Sequence, residues 1–162
     1  MYKKKELKKA KPALDAAREA IWRLDKTTIA ELRSYKSPPL LVKMTMESVM
    51  ILLGRDFDWS SAKRTMAGAD FKNQLRDLDP KSVTPKITRF LVKEFLEDPQ
   101  FTPKNISQVS VAAGTMCVWV RAITIYCQIM HEVSKRVDKK VKQSVVSHAS
   151  KMHGRMDDIK VV

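Results

Sequence analysis

Two stretches of this chain place an apolar or small residue alternately three and four positions apart, and they stand at its opposite ends. The first runs Leu7, Ala10, Leu14, Ala17, Ile21, Leu24 and Thr28. The second starts at Trp119 and runs through Ile123, Tyr126, Met130, Val133, Val137, Val141, Val145, His148 and Met152, with the repeat drifting between Val137 and Val145. A 3.5-residue repeat is the seam of a coiled coil. Two such segments flanking a different middle predict an antiparallel hairpin. Its seam would set Leu14, Ile21 and Leu24 against Ile123, Met130, Val133 and Val137. The first segment is expected to be one helix over about residues 5–35, disturbed early by Pro12 and ended by Pro38-Pro39.

The middle reads as several short helices. Leu40–Leu53 is apolar on the side of Val42, Met46, Val49 and Leu53, with Lys43 and Glu47 on another, and Gly54 is placed to cap its end. Asp58 or Ser60 could start a helix through Met66 that ends at Gly68. Asp70–Leu78 makes a short amphipathic segment. Thr84-Pro85 and Thr102-Pro103 are cap-then-proline starts. The first opens a helix over Lys86–Glu97, stopped at Asp98-Pro99; the second is expected to run unbroken into the last heptad segment. No stretch alternates with the period of a strand. The expected fold class is all-α: a small helical bundle, residues 38–118, at the tip of an antiparallel two-helix coiled coil formed by residues 1–37 and 119–162.

The formal net charge of +13 implies an acidic partner. Its distribution qualifies that. Residues 1–36 carry eleven Lys/Arg against five Asp/Glu, residues 37–118 eleven against nine, and residues 119–162 nine against four. Recognition by the middle must therefore come from a local patch. Cys117 and Cys127 fall on one helix about 15 Å apart, too far for a disulfide, so both are read as buried reduced thiols. The basic N-terminus is followed by no apolar signal region, and no run of 18 apolar residues is present, so no membrane span is expected.

Catalytic chemistry finds no support. There is no phosphate-binding glycine loop, and His131, His148 and His153 do not make a zinc motif. With both cysteines on one helix, no zinc site of ordinary spacing is available. No metal, cofactor or catalytic residue is expected. The patches that remain are basic. Lys86, Arg89 and Lys93 share a helix face, opposite an apolar face of Ile87, Phe90, Leu91 and Phe95. Lys43 and Lys104 stand near helix starts, where the macrodipole disfavours a cation. Together with Lys86 they could lie on one end of the domain. Trp59, Trp119 and Tyr126 occur at core-like spacings, which argues for packing rather than base stacking.

The ordered set Pro38-Pro39, Val42-Lys43, Glu47-Ser48-Val49, Leu52-Leu53-Gly54, Asp58-Trp59, Phe71, Asp98-Pro99, Phe101, Ser110, Ala112-Ala113-Gly114, Trp119-Val120 and Tyr126 resembles the microtubule-binding domain of the dynein heavy-chain family. The resemblance covers about residues 20–140 and is nearer the axonemal than the cytoplasmic type. It implies docking on α/β-tubulin by the helix after the double proline and the helix leading into the second stalk segment. Carried over, Lys43 and Glu47 lie on the first, Lys104 and Gln108 on the second, and Lys86, Arg89 and Lys93 add a basic ridge. The chain departs from the family where relatives carry an acidic residue at the position of Lys104 and a basic one at Gln108. It departs again where a proline often follows Val133, here Ser134 and Lys135.

The resemblance further implies a monomeric segment of a larger motor whose ATPase ring lies elsewhere. It implies a cytoplasmic, cytoskeletal setting in the axoneme of a cilium or flagellum, and neither nucleic acid nor membrane as partner. The competing readings are a basic hairpin that binds nucleic acid and a scaffold hairpin without an acidic partner.

Overall fold

A computed structural model describes residues 2–161, with side chains described for residues 5–147. The seam positions His148 and Met152, and His153, lie outside the described side chains. All the secondary structure among the described residues is helical. Helices α1 (Tyr2–Trp22) and α8 (Val111–Val161) form the antiparallel pair, the most extensive packing in the molecule. Between them come α2 (Lys26–Arg33), α3 (Leu40–Leu52), α4 (Trp59–Ala67), α5 (Phe71–Arg76), a 3₁₀ turn at Pro80–Ser82, α6 (Pro85–Leu91), a π turn at Val92–Leu96, and α7 (Pro103–Ser107).

Short helices are marginal by themselves. Several starts here are fixed by a side chain that takes an otherwise orphaned amide, whereas α3 and α5 begin without one. Asp58 accepts from Ser61 N at 3.0 Å, Thr84 Oγ1 from Ile87 N at 3.2 Å, and Thr102 Oγ1 from Asn105 N at 3.2 Å. The hydrogen bonds from Ser61 hold the Asp58 carboxyl below the usual carboxylate range. Gly54 adopts φ +70°, the left-handed conformation of a glycine just past a helix end.

Helix α8 is the spine. Its buried face includes Ala112, Ala113, Met116, Trp119, Val120 and Ile123, and α1, α2, α3, α6 and α7 all pack on it. The Val111–Ser147 part of α8 is long and apolar enough by composition to cross a membrane, but half of its most apolar window is buried in the bundle. Cys117 and Cys127 are both buried and free; burial pushes each thiol up to about 12, with Asp79 adding to the effect at Cys127.

Several expectations need correction. The first stalk segment is not one helix: α1 stops at Trp22 and α2 restarts at Lys26, capped by Asp25, so Ile29 is buried and Thr28 only half so. The helix opened by Thr102-Pro103 does not run on. It ends at Ser107, and α8 begins anew where Ser110 Oγ accepts from Ala113 N at 3.1 Å. The segment after Pro85 widens into a π turn, with Glu97 N donating to Val92 O at 3.0 Å. Phe90 is exposed rather than on the buried face.

The seam also stops short. Leu14, Ile21, Leu24 and Ile123 are buried and Met130 and Val133 half-buried, but Val137 is 47% exposed. At 1.5 Å per residue α1 is about 32 Å long and α8 about 77 Å, so α1 cannot cover the whole of α8.

Trp119 is fully buried and Tyr126 half-buried, and Trp59 is tied down by its Nε1–H donating to Tyr35 O at 2.9 Å. Removing the Trp119 ring leaves a cavity in the spine, at a cost of about 3–5 kcal/mol. Trp119→Ala should therefore lower the melting temperature in a thermal denaturation followed by circular dichroism. Full retention of stability would mean that the ring is not part of the core.

Candidate functional site

The basic side chains singled out by the sequence sit on four different elements. Lys43 projects from the first turns of α3 and is exposed, whereas Glu47, one turn on, is half-buried. The opposite face of α3 buries Val42, Met46 and Val49 together with Thr45 and Ser48. The two hydroxyls donate back into their own helix, Thr45 to Leu41 O at 2.7 Å and Ser48 to Thr45 O at 2.6 Å. Lys86 and Arg89 are exposed on α6, and Lys93 is exposed on the π turn, whose wider pitch offsets it from the other two. Lys104 is exposed on α7, and Gln108 is exposed just past its end.

Contacts along α8 order these residues. Gly114 faces Ser107 so closely that a Cβ would lie 2.9 Å from the Ser107 Cα and Cβ, which sets α7 and Lys104 against the first turn of α8. Arg121 Nη1 donates to Leu96 O at 3.4 Å and Phe101 O at 3.1 Å, holding the end of the π turn and the approach to α7. Further on, Cys127 Sγ lies 3.5 Å from Pro80 O, and His131 Nε2 lies 2.9 Å from Val83 O, just before α6. That carbonyl can only accept, so Nε2 carries the proton. The starts of α6 and α7 are thus anchored some 17 residues apart on α8 (Gly114 to His131), about 25 Å at the helical rise.

Lys86 and Lys104 consequently do not share one end of the bundle. Arg89 belongs with the α6 start: it lines a groove of about 320 Å³ with Pro85, Thr88, Gln128, His131 and Lys135. Among the described residues, no cluster of three His, Cys, Asp or Glu side chains could hold a metal.

A family model described as the microtubule-binding stalk of dynein motor matches residues 2–160. This chain belongs to that dynein stalk family. A solved structure titled the microtubule binding domain of dynein-c superposes with a TM-score of 0.67 at 32% identity, covering 78% of this chain and 90% of that one. Human dynein axonemal heavy chain 2 is 35% identical over 82% of this chain, and human dynein axonemal heavy chain 14 is 42% identical over 83%. A cytoplasmic dynein heavy chain from Caenorhabditis elegans is 27% identical over 96%. The chain spans only 3–4% of the length of these heavy chains.

Within the dynein stalk fold, one cluster escaped the sequence reading. Trp22, at the end of α1, is 41% exposed, with the Arg76 guanidinium 4.2 Å and the Lys72 ammonium 5.2 Å from its ring centroid. The Lys72 Nζ also donates to Trp22 O at 3.0 Å and Leu24 O at 2.7 Å. The partners are some fifty residues apart, so no local pattern could announce them; the only signal was a tryptophan off the heptad seam.

The close seat of α7 on α8 gives a test of how Lys104 is positioned. Gly114→Ala forces a methyl into the Ser107 backbone, and overpacking of this kind costs about 1–3 kcal/mol. A lower melting temperature, with loss of amide protection concentrated in residues 103–110, is the expected result. An unchanged melt would contradict the described packing of α7.

Proposed function

We propose that this chain binds microtubules through its helical bundle and relays state to that site along its paired stalk helices. The observation that carries this reading is the agreement of sequence and fold over the same span. The dynein stalk family model matches 2–160, and a solved dynein microtubule-binding domain superposes with a TM-score of 0.67. Residues 1–37 and 119–162 serve as the stalk and residues 38–118 as the binding unit, with α8 running through the junction. The partner is the α/β-tubulin lattice. The contacts come from Lys43 and Glu47 on α3, Lys86, Arg89 and Lys93 along α6 and the π turn, and Lys104 and Gln108 on α7. The chain is a binding and coupling element, with ATP hydrolysis elsewhere in the heavy chain. The 42% and 35% identities to axonemal heavy chains support a place in a ciliary or flagellar axoneme.

The recognition is electrostatic and local. Exposed charges further apart than about 8–10 Å are screened from each other at physiological salt, so stalk lysines contribute little to a contact made by the bundle. In microtubule co-sedimentation, Lys43→Ala and Lys104→Ala should each weaken binding about threefold, within the ~0.2–1 kcal/mol of single exposed ion pairs. Lys8→Ala with Lys9→Ala, on the exposed side of α1, should leave binding near that of the parent. A stalk double variant as weak as the bundle variants would make the attraction a property of total charge. Tighter retention on DNA than on microtubules would favour the nucleic-acid hairpin instead.

Register supplies the control. The repeat drifts between Val137 and Val145, so the sequence there specifies pairing weakly. Sliding α1 against α8 moves what each is rooted in. The first stalk strand leads through α2 to α3 and Lys43, while α8 holds α7 and Lys104. Two arrangements of one site with different affinities follow. With Cys117 and Cys127 replaced by Ser or Ala, introduced cysteine pairs can lock registers half a heptad apart. The locked forms should differ in microtubule affinity by about tenfold, ~1.4 kcal/mol. Equal affinity in folded, locked forms would leave the chain a passive binder.

A further inference from the structure

We propose that Lys72 is a positioning residue for the microtubule contact: it latches open the break between α1 and α2 and so sets how the first stalk strand delivers α3 and Lys43. The proposal rests on the microtubule reading above. Residues 19–30 contain neither glycine nor proline, and their heptad spacing continues through the break. Locally, the Asp25 cap favours a restart at Lys26, but no breaker forces it, and a tertiary contact acts on the same carbonyls.

In an unbroken helix Trp22 O would accept from the Lys26 amide and Leu24 O from the Thr28 amide. Here Lys72 Nζ occupies both carbonyls, at 3.0 and 2.7 Å. The Thr28 amide turns instead to Asp25 Oδ1 at 2.8 Å, and the Thr28 hydroxyl joins it at 2.6 Å. The Lys26 amide, first in α2, donates to no backbone carbonyl. Lys72 and Asp25 thus take over the groups that would otherwise close the helix.

Three further contacts hold the latch in place. The Trp22 ring lies under the Arg76 guanidinium and the Lys72 ammonium. Helix α5, which carries both cations, is rooted in the core by Phe71 and Leu75. Arg18 Nη2 on α1 donates to Leu78 O, just beyond α5, at 3.0 Å. The exchange is of charge-assisted bonds for backbone bonds, interactions of the same order. Withdrawing the ammonium frees both carbonyls for the amides, and α1 and α2 merge into the single helix that the heptad pattern describes.

The test uses Lys72→Met, which keeps the apolar stem and removes the donors, and Lys72→Arg, which restores charge and donors. Amide hydrogen exchange is read at Lys26 and Thr28 by NMR without microtubules, and affinity is then read by co-sedimentation. In Lys72→Met the Lys26 amide should gain about tenfold or more in protection. Microtubule affinity should shift at least about fivefold, and Lys72→Arg should stay near the parent in both readouts. Unchanged Lys26 exchange in a folded Lys72→Met would overturn the latch. Increased protection with unchanged affinity would overturn its positioning role. Should the parent chain fail to bind microtubules at all, the microtubule reading falls, while the exchange result still decides whether Lys72 holds the break.

Discussion

The burial of one face of α8 organises the rest of the molecule. A helix that presents Trp119, Val120, Ile123 and Cys127 as fully buried side chains supplies a continuous apolar strip, and each short helix of the bundle that packs on it finds there the burial it could not generate alone. Polar ties then fix where along the strip each piece sits. Arg121 collects two carbonyls from the end of the π turn and from Phe101, and His131 meets the carbonyl before α6. The apolar face gives the affinity of element for element, and the polar anchors give the order.

That division explains what the sequence disclosed. The α8 face, the α1 seam at Leu14 and Ile21, and the starts at Thr84-Pro85 and Thr102-Pro103 depend on spacing or on a cap beside a proline, both local, and the structure contains them. At the break after Trp22 the Asp25 cap is local, but the Lys72 contacts to Trp22 O and Leu24 O come from about fifty residues away and leave no local pattern. The interruption between α7 and α8 was equally hidden. Gln108 and Val109 contain no helix breaker; only the Ser110 cap marks the restart, and α7 lies close against Gly114. The exposure of Phe90 has a simpler origin: it lies within α6 beside exposed Arg89, off the strip of Ile87, Leu91 and Phe95 that packs on the core.

The candidate site was legible as a list of exposed cations and not as a shape. Lys43, Lys86, Arg89, Lys93 and Lys104 are all exposed, as a basic surface requires. Their arrangement along α8 was not accessible, because it depends on where the chain between Leu78 and Phe101 lies against that helix. The sequence suggested a common end for Lys86 and Lys104; the anchors at His131 and Gly114 instead spread them along the bundle.

The two strands of the stalk differ in construction, and that has a mechanical consequence. Helix α8 passes from bundle to stalk as one hydrogen-bonded rod from Val111 to Val161. The other strand is jointed, with a gap after Trp22 and a second connection between Arg33 and Leu40. Under load along the stalk axis, the rod transmits displacement almost without loss, while the jointed strand takes up strain by bending at its connections. Push and pull arriving at the bundle are therefore not mirror images: one strand acts as a strut and the other as a hinged tether. The helix pair is thus mechanically asymmetric.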